Sequence, residues 1–321
     1  MRKVLITGGA GFIGSHLAAR LLARGSGVRV LDNLDPFYDE GIKRRNLEAL
    51  ASTGKDRFEF QKGDVRDGEA CREALRGADA VVHLAALAGV RPSIQDPVRY
   101  ADVNVKGTQV LLKAIDDPSV PFLFGSSSSV YGGNEKVPFA ESDPVDHPVS
   151  PYAATKKAGE LVCHAFHSLS GNPVTCLRFF TVYGPRQRPE MAIHRFARAI
   201  TDGEPVPFFG NGDSRRDYTY VDDIVDGVLA ALERAKGYSI YNLGGSATTS
   251  LSELVEMLGR ILGKPVRRNV LPDQPGDVPM TFADVTLAGR ELGYSPRIPV
   301  EEGLERFCEW YVSEKRAGRI P

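Results

Sequence analysis

The sequence is poor in cysteine: four residues in 321, Cys71, Cys163, Cys176 and Cys308, lie far apart along the chain. That is too few and too scattered for a disulfide scaffold or a zinc site, so no metal is expected. The thiols read as buried side chains of a reducing compartment, which makes a cytoplasmic location the expectation. An excess of one charge is also missing. Forty basic residues face 41 acidic ones, a formal charge of −1, whereas non-specific binders of nucleic acid or membrane surfaces carry a basic excess. No apolar run approaches the roughly 18 residues that a bilayer span requires. Met1-Arg2-Lys3 leads into Val4-Leu5-Ile6 and then glycines, so the basic start feeds a strand and not the apolar stretch of a signal peptide. Neither a nucleic-acid nor a membrane partner is expected.

Hydrophobic residues make up 42% of the chain and charged residues 25%, a balance that supports a substantial core. At about 150 residues per domain, the length suggests two parts. Short β-branched runs at 3–7, 28–32, 58–62, 80–84, 122–126 and 174–179 alternate with helical stretches at 13–24, 69–75, 103–115 and 152–169. Nearly continuous apolar strands between helices predict an α/β fold, a doubly wound parallel sheet covered on both faces. After about residue 180, Pro185, Pro189, Pro205, Pro207 and Gly210-Asn211-Gly212 break the alternation and predict loops and short edge strands. A helix from Val221 to about Ala235 and a strand at 239–243 are expected to return to the sheet. From Ser250 onward the pattern predicts two more helices around an irregular stretch at 272–279.

The first strand runs directly into Gly8-Gly9-Ala10-Gly11-Phe12-Ile13-Gly14. Glycine permits the tight turn, and it lets a pyrophosphate approach backbone N–H groups at the positive end of a helix. Asp32 ends the second strand, 18 residues after Gly14, where a carboxylate accepts hydrogen bonds from an adenosine ribose and repels a 2′-phosphate. Strand, glycines, helix, strand and acid together predict dinucleotide binding, with NAD favoured over NADP. Asp64-Val65 follow the third strand, in reach of adenine; a helix cap is the other reading of Asp64.

Tyr152 and Lys156 stand four apart on one helix face. A free phenol, with a pKa near 10, is a poor base at neutral pH. A neighbouring ammonium and the charge of an oxidised nicotinamide favour the phenolate, and so make a tyrosine a general base for an alcohol. Gly125-Ser126-Ser127-Ser128-Ser129 ends the fifth strand at the carboxyl edge, where open α/β sheets bind ligands and a serine can stabilise a forming carbonyl.

The glycine cradle with Ser127, Tyr152 and Lys156 resembles an extended short-chain dehydrogenase/reductase of the type that modifies nucleotide sugars. His83-Leu84-Ala85-Ala86, the stretch from Arg178 to Pro185 and the stretch from Arg216 to Asp223 are similar to that superfamily's further markers. The resemblance implies an NAD-binding domain at 1–178 with 217–243, and a UDP-sugar-binding domain at 179–216 with 244–321. It also implies a homodimer. Cofactor contacts are implied for Gly8, Gly11, Phe12, Ile13, Gly14, Asp32, Asn33, Asp64, Val65, Leu84, Ala85, Ala86, Asn104, Tyr152 and Lys156.

In this superfamily the tyrosine takes the proton of the sugar 4-hydroxyl while NAD takes the C4 hydride. The 4,6-dehydratases resemble Thr-Asp-Glu where this chain has Ser127-Ser128-Ser129, and the uronate decarboxylases carry Glu at the position of Ser129. With hydroxyls at both places, return of the hydride to the other face, a 4-epimerisation, is what remains. Thr181, the stretch from Leu34 to Tyr38 and Ala88-Gly89-Val90-Arg91 resemble UDP-glucuronate 4-epimerases. Guanidinium groups at Arg91 and Arg188, with Ser128, Ser129 and Thr181, suit a sugar carboxylate. For the nucleotide, the resemblance implies Arg216 on phosphate, Asp277 on ribose, and Met191, Ala192, Pro207 and Phe209 around uracil. Gln274 departs from an Arg common among galactose-type epimerases. A UDP-glucose or UDP-N-acetylglucosamine 4-epimerase, a UDP-glucuronate decarboxylase and a non-catalytic NAD sensor remain alternatives.

Overall fold

A computed structural model describes residues 2–272 and 277–320. The strands are β1 (Lys3–Thr7), β2 (Gly27–Asp32), β3 (Phe58–Lys62), β4 (Ala80–His83), β5 (Phe122–Ser127), β6 (Val174–Phe179), β7 (Thr181–Tyr183), β8 (Val206–Phe209), β9 (Arg215–Arg216), β10 (Tyr218–Tyr220), β11 (Tyr238–Leu243), β12 (Thr249–Ser250) and β13 (Arg268–Leu271). Seven of them form one parallel sheet in the order β11-β6-β5-β4-β1-β2-β3. Strand order reverses between β1 and β4, and a crevice opens there at the carboxyl edge.

The helices are α1 (Phe12–Ala23), α2 (Glu40–Gly54), α3 (Gly68–Leu75), α4 (Val90–Gln95), α5 (Pro97–Ala101), α6 (Gly107–Lys113), α7 (Pro151–Ser170), α8 (Ala192–Asp202), α9 (Val221–Glu233), α10 (Leu251–Leu262), α11 (Thr286–Leu292) and α12 (Val300–Arg316). Alternation along the strands sorts the core into two layers. Val4, Ile6, Val28, Val30 and Leu177 face α1 and α9, whereas Leu5, Leu31, Val81 and Phe122 face α3, α6 and α7. The first layer runs on without a break into α8, α10 and α12.

Three expectations are corrected. The stretch after residue 180 holds the short strands expected but also α8, whose buried stripe Ile193, Phe196, Ala197 and Ile200 has helical spacing between the prolines. The region after Ser250 carries three helices, α10, α11 and α12, and not two. The helix expected at 103–115 opens with a π-helical turn at Asp102–Lys106 before α6.

Candidate active site

The β1–α1 turn shows why glycine is needed there. Gly8 has φ +71°, and a Cβ on it would lie 2.7 Å from the Ala85 backbone nitrogen. A Cβ on Gly14 would lie 2.4 Å from the Gly8 carbonyl oxygen. The turn therefore presses α1 against β1 and the β4 end. No side chain caps α1 at Gly11, which leaves the first N–H groups of that helix available to an anion. Asp32 is buried; its carboxylate accepts from the Ala10 amide at 3.1 Å and the Leu34 amide at 2.9 Å. Burial raises its pKa, and those amides with Lys43 oppose the rise. Asn33 donates to Asp64 at 2.9 Å. Arg66 grips Asp64 and holds its carboxyl well below the usual range.

The crevice is a cleft of about 390 Å³ whose wall includes Gly8, Gly11, Phe12, Ile13, Gly14, Asp32, Asn33, Asp64, Val65, Leu84, Ala85 and Ala86. Its other end is lined by Ser127, Ser128, Ser129, Tyr152, Lys156, Thr181, Arg188 and Met191. An uncapped helix N-terminus, glycines in close contact and a carboxylate one strand away fit a dinucleotide.

At the second end, Ser150 caps α7 by accepting the Ala153 amide, and Pro151 supplies the first turn. Tyr152 and Lys156 follow on adjacent turns. The Ser127 hydroxyl donates to that of Ser129 at 3.1 Å and lines the cleft beside Tyr152. Lys156 Nζ donates to the Gly125 carbonyl at 2.7 Å and lies 5.9 Å from the centroid of the Tyr152 ring. Burial raises the Tyr152 pKa, while Ser127 and Arg188 lower it; burial brings Lys156 down to about 8. In this structure Arg188 tempers the rise, and the Lys156 ammonium is held on the Gly125 carbonyl.

A second, smaller cleft shares Val90, Ser128, Ser129 and Thr181 with the first, and adds Arg216 and Asp277. The shared hydroxyls therefore stand between the cofactor-sized cleft and a guanidinium.

Other expectations move. Arg91 is in α4; it pairs with Asp277 at 3.0 Å and lies over the Phe209 ring at 5.2 Å. It thereby stands with two residues assigned to the nucleotide, Asp277 and Phe209. Asn104 is buried outside the cleft wall, its amide spent on the Leu87 backbone and on Thr155 at 3.0 Å. Asp67, not Asp64, caps α3. Ala192 and Pro207 line neither cleft. Phe208 is buried in the core, which leaves Phe209 half-exposed. Gln274 falls outside the described residues. Phe37, Tyr38 and Lys43 line the cleft without having been singled out; the Leu34–Tyr38 resemblance was the available signal for the first two, and nothing marked Lys43.

Residues 4–244 match the model of the NAD dependent epimerase/dehydratase family. The chain belongs to this family. It is 39% identical to a probable UDP-glucuronate 4-epimerase of Rhizobium meliloti over 338 residues, 98% of each chain. The solved UDP-glucuronic acid 4-epimerase of Bacillus cereus, in complex with UDP-glucuronic acid and NAD, superposes with a TM-score of 0.91 at 37% identity, over 97% of this chain and 99% of that one. A dTDP-glucose 4,6-dehydratase of Streptomyces venezuelae with NAD bound also reaches 0.91, at 34% identity and 98% coverage of each chain. Backbone shape is common to both reactions in the family. The side chains around Tyr152 must distinguish them.

Proposed function

We propose that the protein is a UDP-glucuronate 4-epimerase, forming UDP-galacturonate through a transient 4-keto sugar with NAD. One observation carries the choice of reaction. Among described residues, the carboxylates of the larger cleft are Asp32, Asp35 and Asp64, in the β2 and β3 loops, and none stands with Tyr152. The Tyr152 end offers hydroxyls and one guanidinium, a set suited to hold a carboxylate rather than to eliminate water.

Bound NAD supplies a hydride acceptor that is restored in each cycle. Tyr152 removes the proton of the sugar 4-hydroxyl, and Ser127 hydrogen-bonds the same oxygen as it becomes a carbonyl. Lys156 fixes the strand end through Gly125 and adds positive charge beneath the phenol. Arg188, Thr181, Ser128 and Ser129 hold the C5 carboxylate. Oxidation at C4 creates a β-keto acid, which loses CO₂ if the carboxylate swings perpendicular to the ring, so these contacts protect the product. Arg216, Asp277, Arg91 and Phe209 hold the nucleotide. The division at 1–178 with 217–243 against the remainder, a cytoplasmic location and a homodimer belong to the same reading. The free cysteines and the exposed Val98 and Leu161 on packed helices support the last two.

Incubation with UDP-glucuronate and NAD, followed by separation of the sugar nucleotides, tests the proposal. UDP-galacturonate is expected. A UDP-pentose, or conversion of UDP-glucose alone, would replace this reading by decarboxylation or neutral-sugar epimerisation.

A further inference from the structure

One side chain on α7 has no part in the reaction just described, yet stands in line with those that do. Tyr152, Lys156 and Glu160 recur every fourth residue and form one row along the helix. The row faces three consecutive residues at the end of β5, Gly125, Ser126 and Ser127. Tyr152 lines the same cleft as Ser127, Lys156 donates to the Gly125 carbonyl at 2.7 Å, and Glu160 accepts from the Ser126 hydroxyl at 2.7 Å.

Glu160 is itself held from the neighbouring strand. Arg178 donates to its two oxygens, from Nε at 2.8 Å and from Nη2 at 2.9 Å. Both side chains are about 1% exposed. Arg178 sits opposite Ser126 in the β5–β6 register, just as Phe179 sits opposite Ser127. Its remaining nitrogen Nη1 donates to Tyr131 at 3.0 Å, and Tyr131 donates to Asn242 on β11 at 2.7 Å. The helix, the strand that carries Ser127 and the two strands beyond it are thereby tied at one depth.

A fully buried ion pair is a weak source of net stability, because removing both charges from water offsets most of their attraction. Its directional bonds, in contrast, fix the relative placement of the elements that carry it. We infer that Glu160, clamped by Arg178, is a positioning residue of the epimerase reaction, setting the register of Ser127 against Tyr152 through the Ser126 hydroxyl. The inference rests on Tyr152 being the base.

The first test is Ser126→Ala, which cuts the link between clamp and strand and leaves no buried charge unpaired. NAD affinity, UDP affinity and KM should stay within about threefold of wild type. The value of kcat should fall about tenfold, because misalignment affects the transition state more than the bound substrate. Glu160→Gln keeps the shape and an acceptor but loosens the fork on Arg178, and should lower kcat further with the same unchanged KM. A paired Glu160→Met and Arg178→Met variant removes both charges together; it should fold and show the same split. Unchanged kcat in Ser126→Ala and the paired variant would overturn the inference and leave the pair a purely structural one. So would a parallel loss of KM and NAD binding, which would assign the pair to the cleft as a whole. Tyr152→Phe measured alongside separates the two claims: if it stays active, the base assignment fails, and if it is dead while Ser126→Ala is silent, only the clamp fails.

Discussion

Burial raises the pKa of the Tyr152 phenol, and the positive charge of Arg188 works against that rise. The same guanidinium pairs with Glu190 at 3.2 Å and lies over the Phe37 ring at 5.8 Å, so it is held at the cleft wall from two directions. A residue expected to hold the substrate's carboxylate is thus also electrostatically coupled to the base. Occupation of the carboxylate subsite and deprotonation of Tyr152 are linked, because a bound carboxylate neutralises the charge that favours the phenolate.

Replacing Arg188 by Ala should therefore change two quantities. A charge-assisted contact of this kind is worth about 1.5–3 kcal/mol, so UDP-glucuronate should bind ten- to a hundredfold more weakly by the usual conversion. UDP alone should bind as before. The acid limb of the rate profile should also move to higher pH, since a cation that lowers the phenol's pKa has been removed. Equal weakening of UDP and UDP-glucuronate would assign Arg188 to phosphate, and no weakening would remove it from the site.

Replacing Tyr152 by Phe should abolish turnover while sparing UDP-sugar affinity. The ring keeps its edge contact with Tyr100 at 6.3 Å, but the proton acceptor is gone, which typically costs about 10²–10⁴-fold in rate. Single-turnover measurements that found half the wild-type rate would rule Tyr152 out as the base.

Asp32 performs two tasks in the structure, and its substitution should report both. Its carboxylate fastens the Ala10 and Leu34 amides, so Asp32→Asn should keep the loop better than Asp32→Ala. Both variants should bind NAD more weakly, and both should lose discrimination against NADP because the repelling charge is absent. Titration of wild-type protein with each cofactor is the reference; tighter binding of NADP than of NAD there would overturn the assignment of Asp32.

How much of this was legible in the sequence depends on how local each constraint is. The glycine turn, Asp32 and the Tyr152–Lys156 pair are set by spacing within single elements, and all of them line one cleft. Arg91 pairs with Asp277, 186 residues away, a contact that no local pattern encodes. Asn104 carries an amide that could serve a ligand, but tertiary packing spends it on Leu87 and Thr155. Glu160 takes its partners, Ser126 on β5 and Arg178 on β6, from other elements, which no spacing within α7 encodes. The α8 helix was hidden by flanking prolines, which mark its ends rather than forbid it.

His194 gives a prediction about stability and pH. It is buried in α8 against Phe307, Trp310 and Tyr311, with ring centroids at 6.0, 6.0 and 5.2 Å. Neither ring nitrogen has a hydrogen-bond partner among the described residues. Burial first, and then the charge of Arg198, bring its pKa down from 6.5 to about 4. Between those values the unfolded chain takes up a proton that the folded one refuses, so the contribution of His194 to stability falls as pH drops below 6.5. The size of this loss is about 1.4 kcal/mol per pH unit, or about 2 kcal/mol on going from pH 8 to pH 5. Substitution by Leu removes the titrating group and leaves an apolar side chain in an aromatic pocket. The variant should match wild type at pH 8 to within about 1 kcal/mol, as volume-conserving core changes do, and exceed it at pH 5. Urea unfolding at both pH values measures the difference directly. If wild type and His194→Leu lose stability in parallel from pH 8 to pH 5, then His194 is protonated in the folded protein and its ring has a partner in solution.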